Sequence, residues 1–185
     1  IFFLLSTNAG EVLTVLVALL IGMPLPLIPV QILWMNLVTD SAPVIALGFE
    51  PGEREFLLRP PRHPKSEMLS RVLQLRILLV SILMAVGTLG LFAFELSQEV
   101  DIVKARTTAF TTMVFFQFFN AFNARSEHKS IFSLGLLTNR YLLAGVGLGV
   151  ILQLAIIHIP GAVDWLGTVP LSAFEWLLVL LVSST

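Results

Sequence analysis

The chain has no cysteine, one tyrosine and few charges: 11 Lys and Arg against 12 Asp and Glu in 185 residues. Without cysteine, disulfides and thiolate metal sites are excluded. Charged residues make up 12% and hydrophobic ones 56%, whereas a soluble domain carries about 25% charged residues. Mean hydropathy is +0.91, so the composition is that of a membrane protein. A net charge of −1 argues against nucleic acid or an anionic surface as a partner. Ile1 already sits in an apolar run, with no basic segment or cleavage site before it, so that run does not read as a signal peptide. The last run ends early at Thr185. Both features lead us to expect a fragment of a larger polypeptide.

A membrane-crossing helix takes about 20 mostly apolar residues. Six runs approach that length: about 1–22, 28–49, 72–96, 107–122, 141–159 and a short one at 173–185. The expected fold is therefore all-α, a polytopic transmembrane bundle of about six helices. Pro24, Pro26 and Pro29 make a tight turn between the first two, since proline stops a helix. With Arg71 and Arg76, the connections after the second and fourth runs hold nine of the eleven basic residues. Those connections lie on one side if each run crosses once, and the excess of Lys and Arg makes that side cytoplasmic. Both apparent chain ends fall on the same side. Trp165 and Trp176 suit interface anchors; Trp34 is too deep. If the source is bacterial, the membrane is the plasma membrane.

Two polar strings interrupt this lipid-grade sequence. Asn8 and Glu11 lie in the first run; Asn36, Thr39 and Asp40 lie in the second. An ionisable group in hydrocarbon costs roughly 3 kcal/mol or more, so it calls for a partner or a task. Spacings of three and four put each string on one helix face. Glu11 is about 12 residues before the turn and Asp40 about 11 after it, so at 1.5 Å per residue both lie near mid-bilayer. The turn should make the two helices antiparallel neighbours, with the acids at equal depth. Every one of the five side chains offers an oxygen, the ligand type of hard cations such as Ca2+. Neither span contains Lys or Arg, so two acids there need a cation or a proton. Pro43 cannot donate to the Thr39 carbonyl, and local unwinding is expected where it sits. Gln117, in the fourth run, offers a further neutral oxygen. Asn120 and Asn123 follow it at helical spacing, where hydrogen bonding between helices is the plainer role. Gly145, Gly147 and Gly149 lack the strand and spacing of a nucleotide fingerprint and fit close helix packing. Pro61 and Pro64 mark a stiff loop rather than a docking motif.

The string from Ile28 to Asp40, IPVQILWMNLVTD, resembles the sixth membrane helix of type II P-type ATPases, calcium pumps above all. Asn8-Ala9-Gly10-Glu11 resembles their fifth helix, and Phe119-Asn120-Ala121-Phe122-Asn123 their eighth. Ala46 to Pro51 and Leu58-Arg59-Pro60-Pro61-Arg62 resemble the cytoplasmic loop between, here 50–70. The likeness runs along essentially the whole chain, in order and with matching spacing.

The resemblance implies a C-terminal part of a P-type ATPase membrane domain over residues 1–185, helices five to ten. It implies that Asn8, Glu11, Asn36, Thr39 and Asp40 ligate calcium, the transported ion. It also implies that the loop 50–70 touches the phosphorylation domain. ATP and magnesium would be bound by domains absent from this chain, which by itself should not hydrolyse ATP. Its partners would be the lipid bilayer, that phosphorylation domain and the remaining membrane helices. Two-calcium pumps carry Glu where this chain has Gln117, which favours a single calcium. Sodium/potassium pumps share Gln at that place but use Asp where this chain has Asn36. Calcium transport with proton countertransport is therefore the expected function. A sodium or other monovalent pump is the first alternative. A secondary cation/proton exchanger using Glu11 and Asp40 is an alternative of another class, as is a packing module with no ion role.

Overall fold

In the computed structural model, described for residues 1–50, 70–125, 135 and 138–185, the helices are α1 Phe2–Leu20, α2 Pro29–Trp34, α3 Ser41–Gly48, α4 Arg71–Ser97, α5 Ile102–Asn123, α6 Arg140–His158, α7 Pro160–Leu166 and α8 Ala173–Ser183. Among the described residues there is no strand. Pro61 and Pro64, the string 58–62 and most of the loop expected over 50–70 lie outside the described residues.

Side-chain chemistry caps the starts of α4, α5, α6 and α8. Ser70, Asp101, Asn139 and Ser172 each accept a backbone N–H of the turn that follows, which satisfies donors that a helix start leaves open. Ser172 and Glu175 complete a capping box. Gly22, just past the end of α1, has φ +74°, a left-handed conformation that glycine adopts freely.

Four stretches among the described residues are long and apolar enough to cross a membrane: Phe2–Leu20, Pro29–Gly48, Arg71–Ser97 and Arg140–His158. The chain is thus an integral, multi-pass membrane protein. The fourth and sixth expected spans come out differently. α5 runs longer than 107–122 but is less apolar, because Thr107, Thr108, Thr111, Thr112, Gln117 and Asn120 are all buried within it. Protein surrounds it: Phe110, Met113, Phe116 and Phe118 pack with Met35, Met84, Ile157 and Val179 from four other segments. A helix enclosed in this way need not be lipid-grade all round. α8 is short, with 11 residues. The expected 160–172 connection also contains α7, started by Pro160 at its first position.

One expectation is corrected. α1 packs chiefly along α4, not along the segment that follows it in sequence. The turn reverses the chain, but small residues choose the neighbour. Gly10 brings α1 so close that an added Cβ would stand 3.2 Å from Met84 Sδ, and Ser81 donates to the Ser6 carbonyl at 2.9 Å. α1 and the second spanning segment meet through polar side chains instead. The Trp176 ring packs edge-on to Phe115, with centroids 5.7 Å apart. Trp165 is exposed on α7.

Candidate cation site

Pro29 to Gly48 is not one uniform helix. Met35–Thr39 forms a π-helical turn between α2 and α3, closed by Asp40 N–H on the Met35 carbonyl at 2.9 Å. The unwinding expected near Pro43 thus takes the form of a wider turn. Pro43 has no N–H to give the Thr39 carbonyl, and Val44 N–H goes to Asp40 at 3.0 Å. One extra residue per turn re-aims the side chains on either side, a device found often at functional sites. Here it carries Asn36 and Thr39 and delivers Asp40.

The side chains converge from three elements. α1 supplies Thr7 and Glu11, the π-helical turn and its end supply Asn36, Thr39 and Asp40, and α5 supplies Gln117. Glu11 Oε1 accepts from Gln117 Nε2 at 2.8 Å, and Glu11 Oε2 accepts from Asn36 Nδ2 at 2.9 Å. The Thr39 hydroxyl donates to Gln117 Oε1 at 3.3 Å and to the Met35 carbonyl at 3.0 Å. Asp40 Oδ2 accepts from the Thr7 hydroxyl at 3.2 Å, while Oδ1, fully buried, has no hydrogen-bond partner.

Burial divides the six residues singled out from sequence. Glu11, Thr39, Asp40 and Gln117 are buried, the last three at 1% exposure or less. Asn8 and Asn36 are exposed. Asn36 still reaches Glu11, whereas Asn8 has no side-chain bond into the cluster. The cluster is therefore closed by α5 on one side and open on the side where Asn8 and Asn36 face out.

Thr7 was not singled out from sequence. It sits four residues before Glu11 on the same helix face, a spacing that could have found it. Asn120 does what its position suggested: its Nδ2 donates to Ser6 Oγ on α1 at 2.8 Å. Asn123 is exposed.

Among the described residues no three His, Cys, Asp or Glu side chains converge. The acids are two, helped by amides and hydroxyls. The chemistry is all oxygen at the acceptor end, with no thiolate or imidazole, which is the donor set of a hard cation. A buried carboxylate oxygen without a hydrogen-bond donor is costly, and a cation is one way to compensate it.

The fold and the buried acids are those of a multi-pass membrane protein with ionisable side chains between its helices. The family model described as "Cation transporting ATPase, C-terminus" matches residues 24–185, and the chain belongs to that family. It is 38% identical over 201 residues to "Calcium-transporting ATPase 1" of Bacillus cereus, covering 99% of this chain and 22% of that protein. It is 37% identical over 179 residues to "Calcium-transporting ATPase" of Bacillus subtilis, covering 96% of the chain and 20% of the relative. Against the human "Calcium-transporting ATPase type 2C member 1" it is 37% identical over 183 residues, covering 99% and 20%. The chain spans about one fifth of the length of these curated relatives.

Proposed function

We propose that this chain is the cation-binding membrane part of an ATP-driven calcium pump, a translocase whose phosphorylation and nucleotide chemistry resides in other domains. One observation carries the reading: Glu11 and Asp40, from different helices, are both buried among neutral polar side chains, Glu11 accepting from Gln117 and Asn36 and Asp40 from Thr7, and one Asp40 oxygen has no donor. The names of the relatives support calcium as the cargo.

The residues take the following roles. Asp40 and Glu11 supply the charge that binds Ca2+. Asn36 and Thr39 supply neutral oxygens once their hydrogens turn away, and Gln117 holds Glu11 and offers a carbonyl. Ca2+ takes six to eight oxygens, so the open side of the cluster receives ligands from membrane helices outside this chain. Asn8 and Asn36 face that side. Magnesium and ATP belong to the other domains. Movement of α1 against the π-helical turn separates the oxygens and lowers affinity, which releases the ion. Two bare carboxylates inside the bilayer then require protons in place of the ion, which gives proton countertransport.

A sodium pump is the second reading, favoured by Gln117, which brings an amide rather than a third carboxylate to the cluster. The full-length protein in sealed vesicles tests both. ATP should drive accumulation of radiolabelled calcium while the lumen turns alkaline. Accumulation at unchanged lumenal pH removes the proton step. Sodium accumulation without calcium selects the second reading.

A further inference from the structure

Where α3 and α5 end and α6 begins, on the side expected to be cytoplasmic, a second polar cluster shares no residue with the site just described. Arg125, just past α5, is almost wholly buried, with 1% of its side chain exposed. Its Nε lies 3.0 and 3.1 Å from the two oxygens of Glu50, and its Nη2 lies 2.8 Å from Oε1. Its Nη1 donates to the Gly135 carbonyl at 2.9 Å. This is a two-pronged guanidinium–carboxylate pair, the strongest and most directional kind. Asn139 closes the cluster. Its Nδ2 donates to Glu50 Oε2 and, at 3.2 Å, to the Ala46 carbonyl, while its Oδ1 caps α6 by accepting Leu142 N–H at 2.9 Å.

The position of this cluster gives it a mechanical meaning. From Asp40 to Glu50 the chain runs through α3, about 15 Å at the helical rise. From Gln117 to Arg125 it runs along α5 for about 12 Å. The two struts are tied at one end by the Thr39 hydroxyl on Gln117, and at the other by Arg125 on Glu50. α6 braces the first strut where Gly145 meets the Ala42 backbone; an added Cβ there would stand 3.0 Å from the Ala42 oxygen. The result is a closed frame with the cation cluster at one end and an ion pair at the other.

We propose that Arg125 is a positioning residue for the cation site: by clamping Glu50 it fixes α3 against α5 and so holds Asp40 at the distance from Gln117 and Glu11 that the bound ion requires. The inference rests on the cation-pump reading above. A site whose ligands are held in place binds more tightly than one that must assemble them. The clamp touches no ligand, so its loss acts on affinity through the frame.

The test uses the full-length pump with Arg125→Met, Arg125→Lys and Glu50→Gln beside wild type. The readout is the calcium concentration for half-maximal uptake, with sodium in a parallel arm, normalised to the amount of phosphorylatable enzyme. Arg125→Met should raise half-saturation about tenfold. Glu50→Gln should move it in the same direction, and Arg125→Lys should fall between Met and wild type. A clamp that only supports folding would lower the amount of competent enzyme and leave half-saturation where it was, and that result overturns the proposal. An unshifted variant in a wild type that transports calcium or sodium refutes the clamp alone. A wild type stimulated by neither cation removes the pump reading and the clamp with it.

Discussion

Gln117 holds Glu11 from the neighbouring helix, its amide nitrogen 2.8 Å from the carboxylate, while its own oxygen takes the Thr39 hydroxyl. One neutral side chain therefore organises both a carboxylate and a hydroxyl of the cluster. Replacing it with Leu removes both bonds. A hydrogen bond to a charged group contributes about 1.5–3 kcal/mol, so Gln117→Leu should raise half-saturating calcium by about tenfold or more. Gln117→Glu should behave differently, because it adds a third carboxylate that a second ion could neutralise. Calcium bound per phosphoenzyme measures the difference.

Near the start of α5, Lys104 stands 2.6 Å from Glu175, and buried Glu95 lies beside them. The Lys104 side chain is 35% exposed and that of Glu175 is 7%, which puts the pair between the surface and buried limits. Lys104→Met leaves two acids facing each other across the ends of α4 and α8. The expected cost is about 1–2 kcal/mol, well below that of breaking a fully buried pair. A lowered midpoint of thermal inactivation, with unchanged half-saturating calcium, is the expected pattern.

The glycines of α6 separate packing from composition. Gly145 meets the Ala42 backbone, and at Gly149 an added Cβ would stand 2.6 Å from the Phe118 ring, whereas Gly147 has nothing within 4 Å. Gly145→Val should therefore push α6 off α3 and cost about 1–3 kcal/mol, the usual price of overpacking. Gly147→Val should be near neutral. Yield of detergent-stable full-length protein, measured for both, checks the contrast.

The helices were legible in the sequence wherever lipid faces them, because there the apolar run has to be unbroken. α5 was the hardest to bound. It is enclosed by protein, so its threonines could stay and its apolar run looked shorter than the helix it forms. The acids at Glu11 and Asp40 were legible because charge in an apolar run is rare, and both are buried. The π-helical turn was not: Pro43 announces a disturbance, but where the extra residue enters depends on the helices packed around it. Nor could sequence tell that α1 would choose α4 as its neighbour, since Gly10 and Ser81 lie far apart in the chain. The Arg125–Glu50 clamp was hidden for the same reason, its partners being 75 residues apart.

Equilibrium calcium binding to the purified full-length protein, with sodium as competitor, compares wild type and Asp40→Asn most directly. The two-acid site predicts saturable binding that sodium displaces poorly and that Asp40→Asn weakens about a hundredfold or more. Binding of equal strength in the two proteins would contradict it.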